Sequence, residues 1–520
     1  MSARLLSAQN TPGRLSVESQ DFDGLYYSKA QAPRRSLLEK ILQLVHLTLR
    51  RFWSVGSRHG AHYMPLLPGV TQARYSRRFL FRLCYYLFCL LSAILVLVIF
   101  TSTFFPSYTR LPPQYLSLRD LALKSDQPGR GNLRKEKVFI AASLYDPTGE
   151  LAGGHWASSV LQLIDLLGKD NAFLSIYEND SGNEGKSALH ELEKQVPCNK
   201  SIIYEHLSLD GIPKIVVPGG EERVKRITYL AETRNRALRS LEDATVQYDK
   251  ILYLNDVAFD PVDALQLLFS TNVNETGAAQ YRAACAVDFI NPFKFYDTYA
   301  TRDIEGYSMG LPFYPWFSDS GDAQSRKILQ SGRDAVPVRS CWGGMVAFDA
   351  QFIQTRTKAG PQPEVAGESL PARFRALQDE DLFWDASECC LIHADIQAPQ
   401  HEYAVVETGI YLNPFVRVAY DPVTLSWLWT TRRFEKLYSI IHTIGNHLVG
   451  LPWFNPRREE VTGKNVQDTA FIIGEDGIGS FETVQRIATH DGFCGRPGLQ
   501  VVVPDHQGGK KGLESIPTPV

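Results

Sequence analysis

The feature of this sequence that most constrains its folding is a run of 23 residues without a charge, from Leu83 to Phe105. About 20 apolar residues in a helix suffice to cross the hydrocarbon core of a bilayer. Arg110 is the only basic residue close behind the run, whereas four arginines lie just before it: Arg74, Arg77, Arg78 and Arg82. Because basic residues favour the cytosolic side, the run predicts a signal anchor over residues 83–105. The N-terminus is then cytosolic, and residues 106–520 lie across the membrane.

The charge of the chain is unevenly distributed. Residues 1–82 contain 13 Lys and Arg against 4 Asp and Glu, whereas the whole chain has a net charge of −3. A basic segment can bind nucleic acid or a membrane surface. Since this one directly precedes the apolar run, we interpret it as membrane-proximal and expect no nucleic-acid partner. Residues 1–75 predict a disordered cytosolic tail, residues 106–137 a stem, and residues 501–520 a flexible tail.

Beyond the stem, segments typical of strands and helices alternate. The strands are predicted at 138–144, 172–178, 201–207 and 250–256, and the helices at 155–168, 187–196 and about 220–241. This alternation predicts an α/β fold over residues 138–500, with a twisted, mostly parallel sheet covered by helices on both faces. Neither GxGxxG nor GxxxxGK[ST] is present, which disfavours dinucleotide and P-loop sites.

In such sheets ligands bind at the carboxyl ends of the strands. Asn255 and Asp256 end the fourth predicted strand, and "SIYENDSG", with Tyr177 and Glu178, ends the second. Oxygen ligands of this kind suit Mg²⁺ or Mn²⁺. For Asp256 the alternatives are an Asx turn or a cap on a helix at 261–268.

Arg234 is the most unusual residue of the helix predicted at 220–241, because helical spacing puts it inside the apolar stripe. A buried guanidinium needs an anion, and its planar fork suits phosphate. Asn235 could add an amide contact. The alternative is an arginine that reaches solvent over apolar surface.

The segment "DASECCLIHADI" offers an acid and an imidazole five residues apart. Glu388 could act as a base or nucleophile in sugar transfer, and His393 or Asp395 could ligate the same metal as Asp256. The alternative for His393 is a structural role among apolar neighbours.

Two further segments place polar residues within apolar runs. They contribute Asp288 in "CAVDF" and Asp349 in "CWGGMVAFD", where Trp342, Gly343 and Gly344 could form a wall for stacking a sugar. Core packing around a disulfide is the alternative.

The cysteines and the asparagine sequons agree with an oxidising compartment. Six cysteines follow the apolar run, enough for up to three disulfides whose pairing cannot be deduced from the sequence. Glycosylation acceptors occur at Asn179, Asn199 and Asn274 if this part of the chain is lumenal.

Eight segments in order resemble the fungal capsule-associated α-1,3-mannosyltransferases, glycosyltransferase family 69. They are "SIYENDSG", "ETRNRAL", "YLNDV", "DFINPFKFYDTYATRDIEG", "SCWGGMVAFDA", "SECCLIHADI", "NPFVRVAYD" and "GFCGRP". The resemblance covers roughly residues 138–500. It implies a GT-A-like fold and a type II Golgi membrane enzyme that uses a divalent metal and GDP-mannose to extend a glycan acceptor in fungal capsule or cell-wall synthesis.

The resemblance also implies roles for particular residues. "YLNDV" matches the aspartate metal motif of the family, so Asp256 becomes the metal candidate, although Leu254 stands where the usual DxD motif has its first aspartate. Glu388 and Asp288 are the catalytic candidates, and the donor candidates are Tyr177, Glu178, Arg234, Asn235 and Asn255. The alternative function is an inactive lumenal scaffold of the same fold that organises other Golgi glycosyltransferases.

Overall fold

A computed structural model describes most of the chain. The described residues are 70–242, 245–355, 371–377, 381–397, 407–474, 479–503 and 512–518. The predicted tail therefore lies outside the described residues up to position 69. Two compact units are present, Met1–Val98 and Ile99–Val520, and the apolar cores found among the described residues lie in the second.

The uncharged run lies in one long helix, α1 (Val70–Phe104). Its segment Phe81–Phe104 has a mean hydropathy of 2.7, so it is long and apolar enough to cross a membrane by length and composition. The side chains from Phe81 to Leu90 are exposed to the surroundings. The helix that the sequence predicts at 83–105 is therefore present and begins earlier than expected.

The segment predicted as a stem, residues 106–137, is instead part of the folded domain. It contains α2 (Pro113–Lys124), which packs against a core helix. The Tyr115 side chain is fully buried, and its hydroxyl accepts a hydrogen bond of 2.7 Å from Asn413 Nδ2. Burial of a tyrosine side chain stabilises a fold by about 1.5–3 kcal/mol. The stem prediction was wrong because composition does not report this packing.

A central mixed sheet organises the second unit. Its strands are β1 Val138–Leu144, β2 Ala172–Asn179, β3 Asn199–Glu205, β6 Lys250–Leu254, β7 Ala283–Asn291, β8 Lys294–Phe295, β9 Arg302–Asp303, β10 Val336–Ser340, β11 Met345–Asp349 and β13 Ile410–Ala419. In the described residues the strand order is β3-β2-β1-β6-β11-β7-β13-β10-β9, with β8 paired to β7. Strands β8, β10 and β11 are antiparallel to the other strands, which are parallel to one another.

Helices cover both faces of this sheet, and each face has its own apolar core. The strands carry apolar residues on both sides, as strands of a sheet buried on both faces do. The helices are α3 His155–Leu167, α4 Gly182–Gln195, α5 Arg226–Leu238, α6 Pro261–Ser270, α7 Gln324–Ser331, α8 Glu388–Ile396, α9 Pro422–Thr431 and α10 Tyr438–Val449. The α/β class, with a mostly parallel sheet between helices, is confirmed.

Smaller sheets complete the domain, and one corrects two boundary predictions. The order β18-β17-β5-β4 joins the segment before α5 to the C-terminal segment. Residues 222–225, predicted as helix, therefore form a strand, and residues 512–515 of the predicted tail are paired. The bounds are β4 Lys214–Val216, β5 Glu222–Lys225, β12 Trp384–Ala386, β14 Asn465–Ile473, β15 Gly479–Ile487, β16 Gly495–Pro497, β17 Gln500–Val503 and β18 Gly512–Ser515.

Candidate active site

The carboxyl ends of β1, β2, β6, β7 and β13 meet at one edge of the central sheet, which we call the carboxyl edge. The antiparallel strand β11 begins there, since Met345 pairs with Leu254. Asp256 and Asp288 therefore come to the same edge although they lie on different strands. Asp349, at the other end of β11, pairs with Lys250 and lies at the opposite edge, so it is removed from the candidate site.

Asn255 is used to hold the protein together at this edge. Its backbone N–H donates to Gly344 O at 2.9 Å, and its carbonyl accepts from Trp156 Nε1 at 2.9 Å. Its side-chain oxygen accepts from Arg234 Nη1 and Trp342 Nε1, both at 3.2 Å. Only 4% of Asn255 is exposed. Its predicted role as a donor contact is therefore corrected to a structural one, and its contacts fix the position of the next residue, Asp256.

Asp256 is half-buried at the carboxyl edge. It does not cap α6, because Asp260 does so by accepting a 2.9 Å hydrogen bond from the Val262 N–H. The negative charge of Asp256 is among the causes that raise the pKa of the Tyr420 hydroxyl. Asp256 thus remains a candidate for the metal and for the donor diphosphate.

Arg234 and Glu388 form a buried ion pair. Arg234 Nε lies 2.9 Å from Glu388 Oε1, and each side chain is 3% exposed. The guanidinium carbon lies 4.5 Å from the centre of the Trp342 ring and 5.4 Å from that of Tyr253. The expected buried anion therefore exists, but it is the protein's own carboxylate, so the prediction of a phosphate partner for Arg234 is corrected.

Glu388 owes its position to the start of α8. Ser387 caps this helix by accepting from the Cys389 N–H at 3.2 Å, which makes Glu388 its first residue. An acid in the first turn is stabilised by the helix dipole. With Arg234 on one oxygen and 2% of the residue exposed, Glu388 is placed to hold Arg234 and is not poised as a free nucleophile.

Asn235 and Trp342 also serve the framework. The Asn235 side chain exchanges two hydrogen bonds with the backbone of Phe374, at 2.8 and 3.0 Å. Trp342 is 4% exposed, so it cannot offer a face to an acceptor sugar as predicted. At Gly343, where φ is +59°, a Cβ would overlap the Ala286 carbonyl, so this glycine permits the close approach of two strands. The neighbouring Gly344 also has a positive φ, of +65°.

Asp288 lies at the centre of a second acidic group. It is fully buried, accepts from the Tyr420 hydroxyl at 3.1 Å and accepts from the Asp297 N–H at 3.0 Å. Burial raises the pKa of Asp288, and the nearby Asp297 raises it further. Burial likewise raises the pKa of Asp297. Since two adjacent carboxyl groups resist ionising together, this pair holds a proton more firmly than isolated aspartates do.

Three carboxyl groups converge around one phenol at the carboxyl edge. After burial, which is the largest cause, Asp288, Asp256 and Asp297 all help to raise the pKa of Tyr420 well above its usual value. Tyr420 immediately follows β13 and half-exposed Asp297 follows β8. The sequence analysis missed both, although "AYD" and "FYDTYA" lie within the segments that carry the family resemblance.

His393 does not share a metal with Asp256. Its Nδ1 lies 2.6 Å from Cys389 O, and its ring stacks on Phe348 at 5.6 Å. Phe348 pairs with Ile251, five residues before Asp256, which corresponds to about 16 Å along a strand. Burial lowers the pKa of His393 to about 4. The structural alternative for His393 is correct and its prediction as a ligand is wrong.

Among the described residues, one cluster of potential metal ligands lies within 4.8 Å: His393 with Cys285 and Cys341. Those cysteines are joined in a disulfide, so their sulfur atoms are not thiolates. The second predicted helper, Asp395, is held by Arg375 at 2.8 Å and by His490 at 2.9 Å. Neither His393 nor Asp395, the predicted partners of Asp256 in metal binding, is therefore placed to share a metal with it.

The end of β2 carries the remaining donor candidates on opposite faces. The Tyr177 hydroxyl donates to Glu205 Oε1 at 2.8 Å. Glu178 is fully buried on the other face, and neither oxygen makes a hydrogen bond of normal geometry. The pKa of Glu178 is raised to about 7, chiefly by burial; the Ser181 hydroxyl lowers this pKa and the charge of Asp146 raises it. Tyr177 and Glu178 are therefore not one binding surface.

A set of charged residues beside Glu388 was also missed. Asp385 is 5% exposed, and its pKa is raised to about 6 by burial while Lys225 and Arg226 lower it. Tyr299 lies among the same residues, with the Arg496 guanidinium 3.9 Å from its ring centre. Asp385 stands three residues before Glu388, and that spacing was the available signal.

The comparisons with known proteins agree with this picture. Residues 137–395 match the model of the family described as "Cryptococcal mannosyltransferase 1". No curated protein matches the chain significantly. The chain belongs to the capsule-associated mannosyltransferase family, and is thus a glycosyltransferase of the mannosyltransferase class.

Two solved structures show a distant likeness. One is the mannosyltransferase PcManGT from Pyrobaculum calidifontis in complex with GDP-Man and Mn²⁺, at 11% identity over 66% of this chain and 72% of that chain, with a TM-score of 0.31. The other is mannosyl-3-phosphoglycerate synthase from Rubrobacter xylanophilus, at 11% identity over 74% and 94%, with a TM-score of 0.25. These scores are too low for either protein's ligands to be assigned to this chain.

Proposed function

We propose that this chain transfers mannose from GDP-mannose to a glycan acceptor, forming an α-1,3 linkage with retention of configuration. In this proposal it is a single-pass type II Golgi membrane enzyme that contributes to a fungal capsule or cell-wall glycan. The observation that carries the proposal is the gathering of three carboxyl groups at the carboxyl edge, in a chain of a mannosyltransferase family. The Asp288 side chain accepts from the Tyr420 hydroxyl at 3.1 Å and from the Asp297 N–H at 3.0 Å. Ala258, two residues after Asp256, donates to the carbonyl of Ala419, the residue before Tyr420, at 2.7 Å.

The reaction breaks the bond between mannose C1 and the donor phosphate and forms a bond from C1 to an acceptor oxygen. The proton of the acceptor hydroxyl passes to the departing diphosphate, which leaves as GDP. Positive charge develops at C1, and fixed negative groups stabilise it. The Asp288–Asp297 pair is placed at the carboxyl edge to supply such charge when it is ionised.

The residues present fit a divalent metal of the kind that the family implies. Asp256 offers one hard oxygen ligand, half-buried at the carboxyl edge, and the cap of α6 is Asp260. Mg²⁺ is usually held by one or two carboxylates together with substrate phosphates, so a single protein ligand is compatible with a site completed by the donor. Such an ion, Mg²⁺ or Mn²⁺, would neutralise charge on the leaving diphosphate.

Glu388 enters this proposal as a positioning residue. It holds Arg234, which in turn donates to the Asn255 side chain. Asn255 precedes Asp256, so the ion pair fixes the end of β6 and with it the Asp256 backbone. The framework at Asn255, and not a second ligand, is what orients the carboxylate.

The test compares two aspartates of one loop in the full-length chain, purified in detergent. We expect Asp256→Asn to abolish mannose transfer and metal-dependent GDP release. Asp260→Asn is the matched control, because Asn caps a helix about as well as Asp and the Asp260 side chain accepts from the Val262 N–H at the start of α6. Near-normal turnover by a folded Asp256→Asn protein, across a titration of Mn²⁺, would refute the proposal.

A lumenal scaffold that has lost activity is the second candidate. One observation favours it: Glu388, a leading catalytic candidate, is committed to Arg234, and His393 is committed to the core. A scaffold should bind no GDP-mannose and release no GDP under any metal condition, while the protein remains folded and monodisperse.

A further inference from the structure

Helix α9 (Pro422–Thr431) presents large apolar side chains outward. Val423, Trp427 and Trp429 are 69%, 54% and 45% exposed. Its inner side packs on β13 and β7 through buried residues such as Leu428. Surface helices normally keep one apolar stripe, which faces the core, whereas α9 is apolar on both sides.

Helix α10 (Tyr438–Val449) has its polar side toward the protein and its apolar side exposed, the reverse of an ordinary surface helix. Its polar residues face inward, where His442 Nδ1 lies 2.9 Å from Arg326 Nη1 and Asn446 Oδ1 accepts from the Leu311 N–H at 2.8 Å. Its apolar residues face outward: Ile440, Ile441, Ile444 and Leu448 are each at least 58% exposed. A helix with this arrangement needs an apolar partner outside the protein.

The surface continues after α10. Trp453 and Phe454 follow the helix and are 45% and 86% exposed. We define the α9–α10 surface as the exposed apolar residues between positions 423 and 454. Large exposed apolar side chains gathered in one segment of a chain mark sites that bind a protein or a membrane.

The position of the α9–α10 surface within the second unit favours a membrane over a protein partner. The unit includes the end of α1 from Ile99, and Phe104 and Phe105 are 65% and 54% exposed. Ser107 N donates to Arg432 O at 3.1 Å, and Arg432 Nη1 donates to Tyr108 O at 3.1 Å. The junction of α9 and α10 is therefore bonded to the chain directly after the apolar helix ends.

The charges at this junction also suit lipid headgroups. Arg433 is exposed and lies 5.7 Å from the Trp429 ring centre. Arg110 and Lys436 line a cavity of about 290 Å³ together with Phe104 and Phe105. Tryptophan together with Lys and Arg beside apolar residues is typical of segments that lie in the membrane interface.

We propose that the α9–α10 surface lies in the headgroup region of the bilayer that holds α1. This inference rests on the membrane anchoring in the proposed function. It means that the domain does not swing on a stem but lies against the membrane on a defined face. Because α9 begins two residues after Tyr420, the carboxyl edge is then held close to the membrane surface.

The test uses spin labels on the full-length chain in lipid nanodiscs that contain phosphatidylcholine and a minority of phosphatidylserine. Cys84 and Cys89, the exposed free cysteines, are first replaced by serine. Labels are then placed by Ile444→Cys and by Ile203→Cys. Ile203 is a 37% exposed residue on the edge strand β3, and β13 is six strands away, about 29 Å. Collision rates with oxygen and with a water-soluble nickel complex are measured.

We expect the label at 444 to collide preferentially with oxygen, as lipid-buried labels do, and the label at 203 to collide preferentially with nickel. Equal, aqueous behaviour at both positions would overturn the inference. A label at 444 shielded from both reagents would also overturn it, because it would show a protein partner or a second copy of this chain. A third label, by Leu95→Cys in α1, separates the two proposals. If the label at 95 is in lipid but the label at 444 is in water, only the proposal for the α9–α10 surface is refuted. If the label at 95 is in water, the membrane anchoring is refuted as well.

Discussion

Breaking the Arg234–Glu388 pair should destabilise the protein strongly, and breaking both halves should cost much less. At 2.9 Å, two unit charges attract by roughly 6 kcal/mol at an effective dielectric constant of about 20. The cost of removing both charges from water offsets most of this attraction. Removing one partner alone leaves a buried charge, at a cost of about 3–5 kcal/mol.

The experiment is a double-mutant cycle with Arg234→Met, Glu388→Gln and the double variant. Unfolding of the full-length protein in detergent is followed with denaturant. We expect each single variant to lose about 3–5 kcal/mol of unfolding free energy and the double variant to lose less than either. The same cycle on Lys124 and Asp120 is the control, since those side chains are 73% and 62% exposed and such pairs contribute only about 0–1 kcal/mol. Additive losses at 234 and 388 would refute the buried-pair argument.

The double variant also separates structure from chemistry. If Glu388 acts only by holding Arg234, which reaches Asn255, Glu388→Gln should lose about as much turnover as Arg234→Met, and the double variant should lose no more than either. If its carboxylate takes part in mannose transfer, Glu388→Gln and the double variant should fold and bind donor but lose far more kcat than Arg234→Met.

Three further outcomes follow from the described residues. Glu178 has a pKa of about 7 in the folded protein against an ordinary value of 4.5. Its contribution to stability is therefore present at low pH and is lost as pH rises from about 4.5 through about 7, by up to about 3 kcal/mol. Thermal unfolding should show Glu178→Gln to be more stable than wild type at pH 8 but not at pH 4.5. Asn199 and Asn274 are exposed, whereas Asn179 is 7% exposed and donates to the Tyr229 hydroxyl at 2.7 Å, so endoglycosidase should shift the mass of the wild type but not of an Asn199→Gln/Asn274→Gln variant. Mass spectrometry without reduction should find Cys285–Cys341 and Cys390–Cys494 linked, with Cys198 and Cys389 as thiols; a bridge to Cys389 would contradict the structure, and loss of either native bridge should cost about 4 kcal/mol.

The sequence by itself determined the apolar helix, the first strands of the sheet and the class of the fold. These follow from local rules: the length of an uncharged run, and apolar segments whose period and length distinguish strands from helices. It also placed Asp256 correctly at a strand end, because residues 251–254 stop abruptly at a polar pair. The eight ordered segments carried the family.

Only the tertiary structure determined the partner of each buried charge. Arg234 and Glu388 are 154 residues apart, and no periodicity in either helix reports that distance. The sequence correctly required an anion for Arg234 but could not choose between phosphate and a carboxylate. In the same way, the sequence analysis assigned His393 to the same metal as Asp256. His393 instead lies beneath the middle of the sheet, because strand register, and not spacing along the chain, sets its distance from Asp256.

The α9–α10 surface is a second feature that the sequence could not predict. The sequence analysis predicts no element over residues 422–454, and helical spacing in any case fixes which residues share a face but not which face meets the core. Packing on β13, and the bonds of Arg432 to Ser107 and Tyr108, turned the apolar face outward beside the end of α1. A pattern along the chain specifies faces; the fold decides what each face meets, because that depends on contacts between residues hundreds of positions apart.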